Sequence, residues 1–342
     1  MWRAWVLLAI FWAAPGAARQ FQVGADRAFK LPSDVARQVK DGDTVEIDPG
    51  EYYDCVTWRA NHLTILGLGA GVVITDVACN GKAAFVINGD AVHVHRIVFT
   101  RIRVADRNGA GIRAQGGDLA ISDCQFINNE VGVLAAGVTR ARITILDSVF
   151  DDNGRCNEGR CQAGLDVGGV AELRVERSRF SAPRGRVLLR SGAARTMLSG
   201  NAFTAAAPGG PLVSVTGDLL ADANRFVFGP AAQDPDAPAP DAPNPTAKDL
   251  TAMALRSLWH SPVIIMRGNG LENSTGRPGL LLSNMSSADP DAADNHLGRG
   301  DQMASNVGLL NARARAVGRV GVDAAARATA SVRAQMRRLF HL

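Results

Sequence analysis

Along most of the chain, apolar and polar residues alternate in short bursts, and each burst closes on a phenylalanine. VHVHRIVF ends at Phe99, LAISDCQF at Phe126, ITILDSVF at Phe150, LRVERSRF at Phe180, TMLSGNAF at Phe203 and LLADANRF at Phe226, with gaps of 27, 24, 30, 23 and 23 residues. After each of the first five comes a second apolar segment: GIRAQGG from Gly111, GVLAAG from Gly132, GLDVGG from Gly164, RVLLRSG from Arg186 and PLVSVTG from Pro211. Alternation with a period of two predicts short strands separated by Gly and Asn turns. A unit of this length with two or three such strands predicts a solenoid coil, whose apolar face is buried by stacking on its neighbours.

The alternation also assigns faces. In ITILDSVF, Ile143, Ile145 and Phe150 point inward and Asp147 suits a turn. The residue two before each Phe reads Ile97, Cys124, Ser148, Ser178, Asn201 and Asn224. Stacked in a solenoid, these predict a ladder of hydrogen-bonding side chains at one turn, because buried polar groups need partners. Cys124 is a small core residue within it. With Ile112, Val133 and Leu165 inward, their successors Arg113, Leu134 and Asp166 form one outward column, and Arg190 lies on the corresponding strand of the next coil. Two long connections, 101–110 and 151–162, follow alternate coils and wall one groove. They carry Asp106, Arg107, Asn108, Asp151, Asp152 and Asn153, and long loops on a rigid stack are where function concentrates.

The ends differ from the middle. Residues 1–18 have a basic start, an apolar run (WVLLAIFWAA) and small residues, the pattern of a secretory signal peptide. SDVARQVK predicts a short helix with Ser33 as N-cap, followed by the strand GDTVEIDPGEYYD, together closing the first end of a β-helix domain spanning 19–229. A Pro/Ala/Asp-rich linker occupies 230–247. In 248–300, LTAMALRSLWH reads as a helix, and SPVIIMRG and GLLLSN as strands that add a last coil. In 301–342, Val322, Ala325, Ala326, Thr329, Val332, Met336 and Leu339 recur at helical spacing. That basic tail either caps the solenoid or meets an anionic surface.

The helix followed by DGDTVEIDPGEYYD, then HLTILGLG and the Phe-terminated coils, resembles the right-handed parallel β-helix superfamily that includes pectate lyases and alginate epimerases. NGRCNEGRCQAGLDVGGVAELRVERSRF with RGRVLLRSGA is also similar to a subset of uncharacterised bacterial β-helix proteins. In those, a His and a Tyr occupy the positions that fall at Ala163 and Asp166 here. The resemblance implies an all-β right-handed parallel β-helix, to which the residue patterns above add an N-terminal capping helix and a helical C-terminal tail. It also implies acidic polysaccharide as the substrate class. An epimerase's Asp-Pro-His-Asp signature is absent: Asp48-Pro49, Asp234-Pro235 and Asp289-Pro290 are the Asp-Pro pairs, and none continues to His.

Charge and cysteine content refine this. The chain carries +4, of which the seven Arg and one Asp after Met303 supply more than the whole. An exported chain without basic-aromatic interleaving argues against a nucleic-acid partner, and no segment beyond the leader approaches the ~20 apolar residues of a membrane span. The expected location is the periplasm or beyond. Five cysteines in such a chain support disulfides. Cys55 and Cys79, one coil apart, form the first expected pair. Cys156 and Cys161 form the second, with metal ligation as the rival; no histidine lies in that loop to complete a zinc set. A lyase needs a base for the proton alpha to a uronate carboxyl and cations for the developing charge. Arg113, Asp166 and Arg190 are the catalytic candidates, and Asp106, Arg107, Asn108, Asp152 and Asn153 the substrate-binding ones. Calcium is the one cofactor the sequence suggests, through Asp151 and Asp152, though two adjacent acids leave its shell incomplete. The alternative from another class is a non-catalytic envelope or surface protein that binds through its rigid stack. His93 and His95 share a strand face but lack a third ligand.

Overall fold

The computed structural model describes residues 18–154, 156, 157, 160–182, 187–206, 210–229, 250–257, 261–286 and 288–303, with backbone alone at 156, 157, 160 and 161. The coils wind into three long parallel sheets: sheet A of 11 strands, sheet B of 10 and sheet C of 9. One circuit runs from Ala110–Ala114 in sheet C to Leu119–Ser122 in A, to Gln125–Ile127 in B, and returns to C at Val131–Ala135. Each strand pairs with its equivalents one coil before and after, as in Leu119↔Val92 and Leu119↔Ile143.

The interior consists of columns. Phe99, Phe126, Phe150, Phe180, Phe203 and Phe226 are all buried and stack with ring centroids 4.6–5.2 Å apart and interplanar angles of 7–20°. Their spacing is the ~4.8 Å separation of paired strands. Glycine is required beside this stack: a Cβ on Gly111 would lie 2.8 Å from the Phe126 ring, and one on Gly132 2.8 Å from the Phe150 ring.

The expected polar ladder is present at the two-residue turn between sheets A and B. The Cys124 N–H donates to Ser148 Oγ (3.2 Å), Ser148 N–H to Ser178 Oγ (3.1 Å), and Ser178 N–H to Asn201 Oδ1 (2.9 Å). Asn201 donates to Asn224 Oδ1 (2.9 Å), Asn224 to Asn269 Oδ1 (3.0 Å), and Asn269 to Asn295 Oδ1 (2.9 Å). The last two rungs lie beyond the boundary expected at 229. The strands after residue 249, Leu250–Leu255, Ile264–Arg267, Gly270–Asn273, Gly279–Asn284, Asp291–Ala293 and His296–Leu297, join the same three sheets.

Two helix expectations need correction. The capping helix is a single turn, Pro32–Val35, with Leu31 rather than Ser33 at the N-cap. The Asp34 carboxylate starts it by accepting from the Lys30 and Leu31 N–H groups (3.0 and 2.9 Å), and only Pro32 and Val35 are buried, too little apolar surface to extend it. LTAMAL is a strand paired on both sides. Five of its six residues are buried, and with both faces covered its periodicity cannot separate strand from helix. The expected leader and helical tail lie outside the described residues.

Cys55 and Cys79 form a disulfide (Cα–Cα 5.3 Å), joining consecutive connections between sheets B and C. Cys156 and Cys161 are direct antiparallel partners in a two-stranded hairpin, with their sulfurs outside the described residues. Cys124 is free and buried, and burial pushes its thiol up to about 12.

Candidate functional site

Strands of sheet C bury alternate residues on the Phe side and present the others outward. Register places Arg113, Leu134, Asp166, Arg190 and Ser214 in one outward column on successive rungs. The three catalytic candidates thus share a face. Asp166 and Arg190 touch: Arg190 Nη1 donates to Asp166 Oδ2 at 2.5 Å. The Asp166 side chain is 13% exposed and that of Arg190 39%. Burial raises the Asp166 carboxyl above its ordinary range, opposed by the Arg190 charge and by a hydrogen bond from the Ala163 N–H. Arg113 lies two rungs away, roughly 10 Å along the axis, behind Leu134. Its Nε is buried without a hydrogen-bond partner among the described residues.

Further cations gather on this face. Arg59 and Arg256 follow sheet C strands at outward positions and are exposed. Lys82 leans over the sheet to place Nζ 3.4 Å from Gln115 Oε1. Against them, Asp166 is the one carboxylate on the outward face of sheet C among the described residues. Sheet A differs, because its outward charges pair across and along strands: Arg174 with Glu176, Arg195 with Glu172 and Arg142 with Asp118.

The long connections 101–109 and 152–164 both run from sheet B to sheet C and so border the same edge of this face. The first is held from below by buried Glu130, whose carboxylate accepts from the Val104 N–H (3.0 Å) and Gly109 N–H (2.8 Å). Asp106 and Arg107 are exposed at its tip, Arg107 with φ +54°, and Asn108 is half-buried. On the second, Asp152 takes φ +47° and its Oδ1 is buried without a hydrogen-bond partner among the described residues. Asn153 is not a groove residue. It is 2% exposed, accepts from the Asn129 N–H (3.1 Å) and amide (3.0 Å), and donates to the Phe126 carbonyl (2.6 Å). Asn129 donates in turn to the Phe99 carbonyl (2.9 Å), forming a second, shorter amide ladder that sequence reasoning missed. The available signal was asparagine recurring three residues after Phe126 and Phe150.

Among the described residues, the two acids suggested for calcium do not gather further carboxylates. Asp151 accepts from Ser181 Oγ (2.5 Å), and no group of three or more His, Cys, Asp or Glu side chains suited to a metal occurs among the described residues. His95 bonds Ser122 Oγ through Nδ1 (2.8 Å), whereas His93 is exposed; both lie on sheet A, away from the cationic face.

No protein-family profile matches the chain, and no curated protein matches it in sequence. Among solved structures, it is similar to an alginate lyase from Paenibacillus sp. str. FPU-7 at TM-score 0.55 and 12% identity, over 84% of this chain and 99% of that one. It is also similar to the PL6-family alginate lyase AlyGC at TM-score 0.52 and 16% identity, over 83% of this chain and 40% of that one. At these identities the likeness speaks to architecture, and together with the three stacked parallel sheets it establishes the chain as a right-handed parallel β-helix.

Proposed function

We propose that this is an exported protein that engages an acidic polysaccharide along the outward face of sheet C, with lyase-type cleavage at the Asp166–Arg190 pair. The observation that carries the reading is the charge arrangement: Arg59, Lys82, Arg113, Arg190 and Arg256 lie on the outward side of sheet C, whose edge the long connections border, with Asp166 alone opposing them among the described residues. A flexible polyanion lying along the axis meets a cation every few rungs, and such a face concentrates anionic ligands in a salt-dependent way. The fold shared with two alginate lyases and the Cys55–Cys79 disulfide agree with extracytoplasmic work on such a polymer.

In the cleavage step, a guanidinium, Arg113 or Arg190, pairs with the uronate carboxylate and stabilises the negative charge that develops when the alpha proton leaves. Asp166, whose proton affinity burial has raised, accepts that proton. The carbon–oxygen bond to the neighbouring sugar then breaks, leaving an unsaturated end and a free hydroxyl, with a proton taken up at the leaving oxygen. Asp106, Arg107, Asn108 and Asp152 border the groove and contribute to holding the chain. The second reading is a binding platform without turnover. It is favoured by the direct Asp166–Arg190 contact, which holds the carboxylate already paired.

The test is incubation of the mature protein with uronate-containing and neutral polysaccharides, with and without calcium. Absorbance of unsaturated ends and reducing ends are followed together, beside an affinity measurement at low and high salt. Unsaturated ends that vanish in Asp166→Asn while binding persists establish the lyase. Binding that weakens with salt and with Arg113→Ala, without turnover, establishes the platform. No binding to any acidic polymer refutes both.

A further inference from the structure

The chain has two tyrosines, side by side, with opposite fates. Tyr52 is buried and its hydroxyl donates to the Asp48 carbonyl at 2.7 Å. Tyr53 is 59% exposed, the most exposed large hydrophobic residue described. It stands on the connection from sheet B to sheet C, the side that borders the cationic face.

An exposed aromatic ring needs no explanation by itself, but this one stands beside a network of polar contacts that orders its connection. The neighbouring Glu51 carboxylate raises the Tyr53 hydroxyl above its ordinary range. Arg101 Nη2 donates to Glu51 Oε1 at 3.0 Å and to Asp76 Oδ2 at 2.8 Å, and its Nε reaches Asp76 Oδ1 at 3.1 Å. The network thus ties three consecutive coils beside Tyr53, and the Cys55–Cys79 disulfide staples two of the same connections. Val77, 37% exposed, adds apolar surface on the next connection. Arg101 spends its Nε and Nη2 donors on these two carboxylates and serves as a strut. None of this ordering buries the ring, so it contributes nothing to the core. It does lower the conformational cost of binding something to the ring.

We propose that Tyr53 is a sugar-stacking platform, a distal subsite at the N-terminal end of the sheet C groove. The proposal rests on the reading of that groove as a polysaccharide track. The axial C–H edge of a pyranose packs on an aromatic face, whose quadrupole is negative above the ring. Tyr53 precedes the first strand of sheet C, four strands before the one that carries Asp166. At the ~4.8 Å strand spacing this is roughly 19 Å, a span of several sugars. Lys82, at the start of the second strand, and Arg113, on the third, lie between and supply carboxylate partners along the way.

The experiment compares wild type, Tyr53→Ala and Tyr53→Phe by calorimetry against an acidic trisaccharide and a decasaccharide of the same polymer, either oligogalacturonate or oligoalginate. The expected result is that Tyr53→Ala loses roughly three- to tenfold in affinity for the decasaccharide, the range of an aromatic contact. Affinity for the trisaccharide is expected to stay unchanged, and Tyr53→Phe to recover most of the loss, because the ring remains. Equal decasaccharide affinity in wild type and Tyr53→Ala overturns the platform while leaving the polysaccharide reading intact. Absence of binding by wild type to either length overturns both.

Discussion

Replacing Asn224 with alanine tests whether the amide ladder holds the coils together. Asn224 is 1% exposed. Its Oδ1 accepts from the Asn201 N–H (3.1 Å) and amide (2.9 Å), and its Nδ2 donates to the Leu198 carbonyl (2.9 Å) and Asn269 Oδ1 (3.0 Å). Truncation strands the Asn201 N–H and the Leu198 carbonyl where water does not reach. At about 1–3 kcal/mol for each buried group left unpaired, the loss is about 2–6 kcal/mol. Serine is the informative control, because Ser148 and Ser178 occupy equivalent rungs and each accepts the preceding backbone N–H through its hydroxyl. Asn224→Ser should restore the acceptor for Asn201 and recover about half the loss. Urea unfolding followed by far-UV circular dichroism gives the midpoints. Hydrogen exchange at Asn201 and its neighbours localises the effect, which matters because stacked repeats need not unfold in one step. An alanine variant within about 0.5 kcal/mol of wild type, the range of ordinary surface substitutions, would refute the reasoning. So would a serine variant no better than alanine.

The Cys124 thiol, buried and pushed up to about 12, should resist alkylation in the native protein and label only on unfolding; mass spectrometry of its peptide would expose the error if it labels at once. At Asp43, burial opposes ionisation, but hydrogen bonds from Arg19 and the Lys40 N–H outweigh it and hold the carboxyl down at about 2. The folded pKa lies below the unfolded one, so the stabilisation is complete above about pH 4 and fades as pH falls toward 2. Asp43→Asn should lower stability at neutral pH and flatten that acid limb; an unchanged acid profile contradicts this. Asp166 has the opposite sign, its folded pKa raised mainly by burial. Its contribution is greatest below the unfolded carboxylate range and is lost as pH rises through the raised value. Asp166→Asn should therefore be at least as stable as wild type at neutral pH, and a fall of more than about 1 kcal/mol there would show the pair to be structural.

The columns that face inward were legible in the sequence because a stack repeats its constraints. Phenylalanine recurs in six successive coils with a small residue two before it in the last five, so the ring stack, the ladder from Cys124 to Asn224 and the burial of Cys124 all followed from alignment of the repeats. The outward column from Arg113 to Arg190 was legible for the same reason: alternation fixes the face, and one residue's register fixes the next. Asn153 was not, because an asparagine in an Asp-Asp-Asn-Gly loop looks solvated until its partner Asn129, 24 residues earlier, is seen to stack with it. The Leu250–Leu255 strand was misread because covering both faces erases the alternation that identifies strands. The single-turn cap was overextended because Ser33 looked like an N-cap, whereas its N–H donates to Asp54 Oδ2 (2.8 Å).

The same geometry separates what holds this fold from what it offers to a ligand. Inward side chains and turn amides supply the stabilisation, and on sheet A the outward charges neutralise one another, as Arg177 does with Asp147 at the adjoining turn. Arg59 and Arg256 have no ion pair among the described residues, and their neighbours on sheet C are neutral or of like charge apart from Asp166. Such an arrangement gains nothing in the free protein, where like charges repel, and the repulsion is relieved when a polyanion lies along the face. A surface shaped by stability alone would pair these residues or omit them. Substituting Arg59 and Arg256 together by glutamine should therefore leave the unfolding midpoint unchanged or raise it, while weakening polyanion binding and flattening its dependence on salt. A lowered midpoint with unaltered binding would mean that these arginines serve the fold and that the ligand lies elsewhere.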